Sequence, residues 1–257
     1  MFGQIPPTPY DLRFSLLGIP VRVHPVFWLT SLVLAWTTQL DVVIVRVLCI
    51  FVAIVVHEMG HALVTRSFGW QPEIVLYILG GYATTMRHST WKDIAVSAAG
   101  PAAGFLLFFS IWWWGRLSGM LGPESTFLEP SFDWGRMVQW PEFIRAGTRA
   151  NLLLAEAVYF TLFISLIWNV MNLVPVLPLD GGQISRELCT WANPRKGMEA
   201  CLLISVAAGG AVALWAVWAA MRGGNVLGLE PTFLALMFGY LAFQSYQAHQ
   251  GARRGYD

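Results

Sequence analysis

The feature that decides the fold is an apolar run at residues 52–64, with the sequence VAIVVHEMGHALV. In a helix, residues four apart share a face, so His57 and His61 can hold one metal ion while Glu58 reaches a water beside it. The alternative is a chance pattern, as occurs on surface helices. The apolar flanks weigh against chance, because ionisable side chains inside such a helix cost at least a few kcal/mol. The run therefore predicts a zinc site within an apolar helix.

The composition indicates a membrane protein. Of the 257 residues, 56% are hydrophobic and only 12% are charged, whereas a soluble domain has roughly 25% charged residues. Thirteen tryptophans also suit a chain whose indole rings lie at the membrane interface. The net charge of +1 gives no indication of a nucleic-acid partner. The scattered Cys49, Cys189 and Cys201 predict buried thiols rather than a thiolate metal site.

Six apolar segments approach the roughly 20 helical residues that cross a bilayer. They lie at residues 23–39, 42–68, 94–117, 152–174, 200–221 and 232–246. We therefore expect an all-α polytopic membrane protein of about six transmembrane helices, forming a single domain over residues 1–257. Lys and Arg concentrate in cytoplasmic loops. A cytoplasmic N-terminus places ten of the 16 on that side and predicts that both termini are cytoplasmic: Arg13, Arg22, Arg66, Arg87, Lys92, Arg186, Arg195, Lys196, Arg253 and Arg254.

Two stretches lack helical character. Residues 14–23 suggest a short hairpin. Residues 73–86 contain two β-prone runs, 74–78 and 82–85, around a Gly-Gly pair, which is typical of a β-hairpin. We expect this hairpin to be re-entrant, to lie beside the active site and to bind an extended substrate through Gly80, Gly81 and Tyr82. The alternative is that it only fills a gap between helices.

The third metal ligand is expected at the end of the fourth apolar segment, since a catalytic zinc usually takes three protein ligands. Residues 172–182 read NLVPVLPLDGG. Pro175 and Pro178 cannot continue a helix, so the chain should unwind there against protein or a water-filled cavity. Asp180 is then an acidic group beside a flexible Gly-Gly pair. Alternatively, Asp180 caps the following helix, expected at residues 183–191.

These motifs together resemble those of the site-2 protease family of intramembrane metalloproteases. The resemblance covers about half of the chain and includes an S-x-A-G-P segment at residues 97–101. It implies that the site faces the cytosol. It also implies the ligands and base of a zinc enzyme: His57, His61 and Asp180 would bind Zn²⁺, and Glu58 would be the general base.

The resemblance extends to Asn172 and ends at Gly104. Asn172 matches the asparagine of the family's N-x-x-P motif, thought to orient substrate or solvent; its alternative role is a hydrogen bond between helices. The family often has an asparagine where this chain has Gly104, a departure that concerns substrate contacts and not the metal ligands. We expect a minimal form, with a catalytic core at residues 42–190 and neither a PDZ nor a CBS domain.

The predicted function is regulated intramembrane proteolysis, in which a zinc-activated water cleaves the transmembrane segment of a membrane protein, expected to cross the bilayer once. A transporter that carries zinc through the same ligands is the first rival, but it has no need of a base at Glu58. A catalytically silent chaperone is the second rival, and the intact ligand set argues against it. The sequence does not indicate the oligomeric state.

Three other titratable residues have no predicted role at the site. His24 is expected at the membrane interface and His249 in the C-terminal tail. Glu156 lies in the fourth apolar segment without an identifiable partner.

Overall fold

The computed structural model describes residues 6–78, 80–83, 89–118, 148–224, 226 and 229–254. Helices account for most of this part of the chain. Along the sequence the elements are β1 (Leu12–Leu16), β2 (Ile19–Val23), α1 (Pro25–Leu34), α2 (Leu40–Ser67), β3 (Ile74–Tyr77), β4 (Gly80–Ala83), α3 (Thr90–Leu117), α4 (Arg149–Asn172), α5 (Asp180–Ala192), α6 (Gly197–Met221) and α7 (Pro231–Arg254).

Within the described residues, four helices are long and apolar enough to cross a membrane: α2, α3, α4 and α6. The expected count of six is not confirmed. The first predicted segment, residues 23–39, forms only the ten-residue α1, which is about 15 Å long and covers half of a bilayer core. Its first residue, Val23, instead ends strand β2. The last segment forms α7, whose polar C-terminal half lengthens the helix to 24 residues.

The fold is mostly helical, as expected, but the predicted hairpins join into one four-stranded sheet of order β1-β2-β3-β4. Strands β1 and β2 pair antiparallel, as do β3 and β4. Strand β2 pairs parallel with β3, with Val21 opposite Ile74 and Val23 opposite Leu76. Since α1 and α2 lie between β2 and β3 in sequence, the sheet brings the end of α2 back to the N-terminal hairpin.

The predicted β3–β4 hairpin exists, but its turn precedes the Gly-Gly pair. Gly80 and Gly81 lie inside β4, opposite Tyr77 and Leu76. The turn begins at Ile78, which has a left-handed φ of 49°. Thr30 of α1 donates a hydrogen bond to the Ile78 carbonyl at 2.7 Å, which holds the turn there. Residues 79 and 84–86 of the predicted hairpin lie outside the described residues.

The chain divides into two compact units, the first being Met1–Met86 with Ala102–Leu166. Two ion pairs join α2 to α4 in this unit. Arg46 binds Glu156 at 2.6 Å, which supplies the partner that the sequence did not identify, and Arg149 binds Asp41 at 2.6 Å. Because both pairs link these two helices near the start of α2, they fix that end of the α2–α4 contact.

The N-terminal hairpin of the first unit carries a separate polar cluster. Burial by itself would raise the pKa of Asp11, but hydrogen bonds from Thr8 and Arg22 outweigh it and lower that pKa to about 2. The Arg22 guanidinium lies 3.0 Å from the Asp11 carboxylate. Asp11 is therefore ionised at neutral pH and holds the start of β1 against β2.

The second unit comprises Arg87–Pro101 and Ile167–Asp257. Helices α5, α6 and α7 pack in sequence order. Gly209 of α6 allows a close approach of α7, since a Cβ there would lie 3.1 Å from Ala242 Cβ. His249 was expected in the C-terminal tail, but it lies buried on α7. Its Nε2 atom is 3.4 Å from the Glu199 carboxylate. The core of this unit is apolar: Val176, Ala216, Ala219, Val226, Leu234 and Phe238. The single domain remains a prediction.

Candidate metal centre

The two histidines of the H-E-x-x-H motif lie on one face of α2, as their spacing predicts. Their Nε2 atoms are 3.1 Å apart, and the rings meet at 81°. His57 is 2% exposed, His61 8% and Glu58 5%. Two imidazole nitrogens that converge at this distance inside an apolar helix bundle are a geometry that one shared cation satisfies.

The chain leaves helical geometry after Asn172, as the two prolines predict. Residues 173–179 form turns, in which the Val176 N–H donates to the Val174 carbonyl and the Leu179 N–H donates to Val176. Asp180 is the first residue of α5, and its predecessor Leu179 occupies the capping position without a side-chain cap. The alternative in which Asp180 caps the following helix is therefore wrong.

The Gly181–Gly182 pair allows close packing rather than flexibility. Both glycines are buried in the first turn of α5. A Cβ at Gly181 would collide with the Leu173 carbonyl, and a Cβ at Gly182 with the Val176 backbone. Only residues without a side chain let the first turn of α5 rest on the irregular segment, and this contact sets where Asp180 lies.

The ligand atoms of His57, His61 and Asp180 all lie within 4.8 Å of one another. Two imidazoles and one carboxylate are a donor set typical of catalytic zinc, which leaves the fourth tetrahedral position for water or substrate. The His-His-Asp group is thus positioned to bind a metal ion, and its donor chemistry fits zinc.

The remaining predicted site residues are Asn172 and three residues of β4. Asn172 is partly buried, and its amide donates at 2.9 Å to the Trp168 carbonyl of its own helix. Gly80, Gly81 and Tyr82 lie in β4, an edge strand of the sheet. Their roles in substrate binding remain predictions.

Sequence reasoning missed two residues of α6 that contact the segment around Asp180. The Leu177 N–H donates to Ser205 Oγ at 3.2 Å. The Cys201 thiol donates to the Gly182 carbonyl at 3.7 Å. Single small polar residues in an apolar helix carry no motif, so the only available signal was their spacing of four residues.

Comparison with known proteins agrees with this geometry. Residues 45–216, more than half of the chain, match the family described as Peptidase family M50. A zinc metalloprotease of Methanocaldococcus jannaschii is 24% identical over 184 residues, covering 70% of this chain and 45% of that protein. Stage IV sporulation protein FB of Bacillus subtilis is 25% identical over 172 residues, covering 65% and 47%. The chain spans about half the length of these relatives.

The fold is similar to that of a solved structure, a site-2 protease from Methanocaldococcus jannaschii. The TM-score is 0.53 at 22% sequence identity, over 93% of this chain and 94% of the other. Together with the family match, this likeness confirms the resemblance drawn from the motifs. The chain belongs to Peptidase family M50.

Proposed function

We propose that this chain is an intramembrane zinc metalloprotease that hydrolyses peptide bonds within or near transmembrane segments of membrane proteins. The observation that carries the proposal is the clustering of the His57, His61 and Asp180 ligand atoms within 4.8 Å. Both histidines belong to α2, one of the membrane-crossing candidates. A metal site in such a helix needs a function that offsets its cost, and the zinc metalloproteases among the relatives supply one.

Zinc held by these three residues would supply Lewis acidity, acidifying water and polarising the scissile carbonyl. Glu58 follows the first ligand and is buried, so it is the side chain proposed as general base. It accepts a proton from the attacking water and passes it to the leaving amine. Hydroxide adds to the carbonyl carbon, and the peptide C–N bond then breaks. The leaving amine takes the proton, so the Glu58 carboxylate is regenerated.

The proposed substrate is a transmembrane segment of another membrane protein that crosses the bilayer once. A helical substrate hides its carbonyls in its own hydrogen bonds, so it must unwind before cleavage. Strand β4 supports this step, since it is a sheet edge and packs against the zinc-bearing α2. An extended peptide can add to such an edge through main-chain hydrogen bonds. We propose Gly80, Gly81 and Tyr82 as the pairing residues and Asn172 as a further contact.

The proposed membrane arrangement has six spans, with both termini and the active site on the cytoplasmic side. Four described helices support multiple crossings. The orientation rests on the excess of Lys and Arg in the loops assigned to the cytoplasm. The lipid bilayer is then the immediate surroundings of the enzyme.

The test compares the wild type with Glu58→Gln in cells, by labelling new N-termini in the membrane proteome. We expect termini inside or near transmembrane segments in the wild type and their loss in Glu58→Gln. Both purified proteins should contain about one zinc per chain, because Glu58 is a base and not a ligand.

The matched control is Glu156→Gln, which also neutralises a carboxylate in a candidate membrane helix. Its partner is Arg46, so the change should lower stability but leave cleavage per folded molecule intact. Equal sets of new termini in the wild type and Glu58→Gln would contradict the proposed mechanism.

A further inference from the structure

The segment that precedes Asp180 has only turn hydrogen bonds of its own, from Val176 to Val174 and from Leu179 to Val176. Residues 173–179 are not helical, and neither Pro175 nor Pro178 has an N–H group to donate. Yet Val176, in the middle of the segment, is fully buried. A ligand carried by such a segment needs contacts from elsewhere in the fold to keep its place.

Helix α6 supplies these contacts from one face. Cys201 and Ser205 are four residues apart and therefore project on the same side, and both are completely buried. Ser205 Oγ accepts a hydrogen bond from the Leu177 N–H at 3.2 Å, and the Cys201 thiol donates to the Gly182 carbonyl at 3.7 Å. Leu177 precedes the carboxylate ligand by three residues, and Gly182 follows it by two.

The two contacts lie on either side of Asp180 in sequence, at Leu177 and Gly182. The Cys201–Ser205 pair thus connects the irregular segment and the first turn of α5 to α6, a helix long enough to cross a membrane. Because its members are buried, water cannot readily replace a lost partner, and the backbone groups would be left unsatisfied.

We propose that Ser205 and Cys201 are positioning residues that hold the Asp180 carboxylate where it can share a metal ion with His57 and His61. This inference rests on the proposed zinc site. The carboxylate is fixed before metal arrives, so binding need not order the segment. Removal of a residue that orients a metal ligand without binding the metal typically lowers metal affinity by about 10- to 100-fold.

The experiment measures zinc affinity of the purified full chain by competition with a chromophoric chelator, alongside the thermal stability of the zinc-free protein. Ser205→Ala and Cys201→Ala should each bind zinc about tenfold more weakly or worse. Cys201→Ser keeps a donor to the Gly182 carbonyl and should recover most of the affinity. Should Ser205→Ala fail to fold, Ser205→Cys, with its weaker acceptor, replaces it and should show the same direction.

The chain offers matched controls in its first unit. Cys49 is also a buried cysteine whose thiol donates to a carbonyl of another helix, that of Ala157 at 3.6 Å. Thr161 is a buried hydroxyl that bonds within its own helix. Cys49→Ala and Thr161→Val should lower stability as much as the test variants while leaving zinc affinity unchanged.

Folded test variants that bind zinc as tightly as the wild type would overturn the inference, as would controls that lose the same affinity. The outcome is separate from that of the proteolysis test. A wild type that binds zinc but generates no new N-termini would overturn the proposed protease alone. A wild type that binds no zinc would overturn both.

Discussion

At the scale of single residues, the position of Asp180 depends on what its neighbours lack as much as on what they contain. Gly181 and Gly182 have no Cβ, and the backbone of Leu173 and Val176 occupies the space where one would be. The sequence predicted a flexible pair, but the packing shows a tight contact. A ligand carried on a tightly packed turn is preorganised, which reduces the free energy spent in ordering it when metal binds.

Gly182→Ala should therefore both destabilise the fold and weaken the metal site. Forcing a methyl group against backbone costs about 1–3 kcal/mol, and any relief of the clash moves Asp180. Thermal unfolding and zinc content measure the two effects. Gly210→Ala is the control, because Gly210 lies in α6 with no neighbour within 4 Å of the added Cβ and gains up to about 1 kcal/mol of helix propensity. Equal stability of the two variants would contradict this packing argument.

At the scale of elements, the packing of strands and helices creates a sheet edge beside α2 and an ion pair between α2 and α4, neither of which has a local sequence pattern. Strand β3 pairs with β2 on one side and with β4 on the other, so β4 is left as an edge next to α2. Between α2 and α4, the Arg46 guanidinium binds Glu156 and lies 5.1 Å from the Phe160 ring centre. Each charge makes the other tolerable in a membrane helix, where an unpaired one costs about 2.5–3.5 kcal/mol.

Proline at successive positions of β4 should test separately the side that pairs with β3 and the outer side proposed to bind substrate. Along an antiparallel edge strand, successive N–H groups alternate between the paired strand and the outer side, so Gly81→Pro and Tyr82→Pro remove bonds of opposite kind. One variant should lose stability by breaking the ladder to β3. The other should keep its zinc and fold but cleave more slowly, because it removes a bond to the substrate.

Cleavage of a substrate identified by new N-termini, normalised to zinc-loaded protein, measures this difference. Each proline variant is the control for the other. Wild-type cleavage rates in both folded variants would show that β4 does not bind substrate, and that the hairpin only fills space between helices.

At the scale of the whole molecule, the membrane arrangement combines segment lengths with the distribution of charge. Four described helices are sufficient to cross a bilayer, and α1 and α7 carry the two further crossings that we propose. The ten-residue α1 can reach only about half of a bilayer core. It would need the neighbouring strands and loop to complete its crossing inside protein, as non-helical backbone requires.

Reporter fusions test this arrangement directly. With six spans and cytoplasmic termini, a reporter after Asp257 and one inserted within residues 122–142 should report opposite sides of the membrane. The same fusions on a chain truncated after Met221 should move the C-terminal reporter to the other side, since one crossing is lost. Reporters that remain on one side in the full chain would show that the count of spans is wrong.

The sequence by itself determined the features that depend on neighbours along the chain. Long apolar runs predict α2, α3, α4 and α6 because a bilayer demands a continuous hydrophobic length. The spacing of His57 and His61 predicts their convergence because helical geometry repeats within four residues. The break after Asn172 was predicted from two closely spaced prolines, whose missing N–H groups disfavour a continuous helix.

Only the tertiary structure decided the contacts between residues far apart in sequence. The parallel pairing of β2 with β3, the Arg46–Glu156 ion pair and the two hydrogen bonds from α6 to the segment around Asp180 have no local signature. A buried polar group takes whichever partner the packing brings within reach, because leaving it unpaired costs more than any preference of its own sequence. The identity of that partner therefore depends on how the helices pack, not on the residues beside it in the chain.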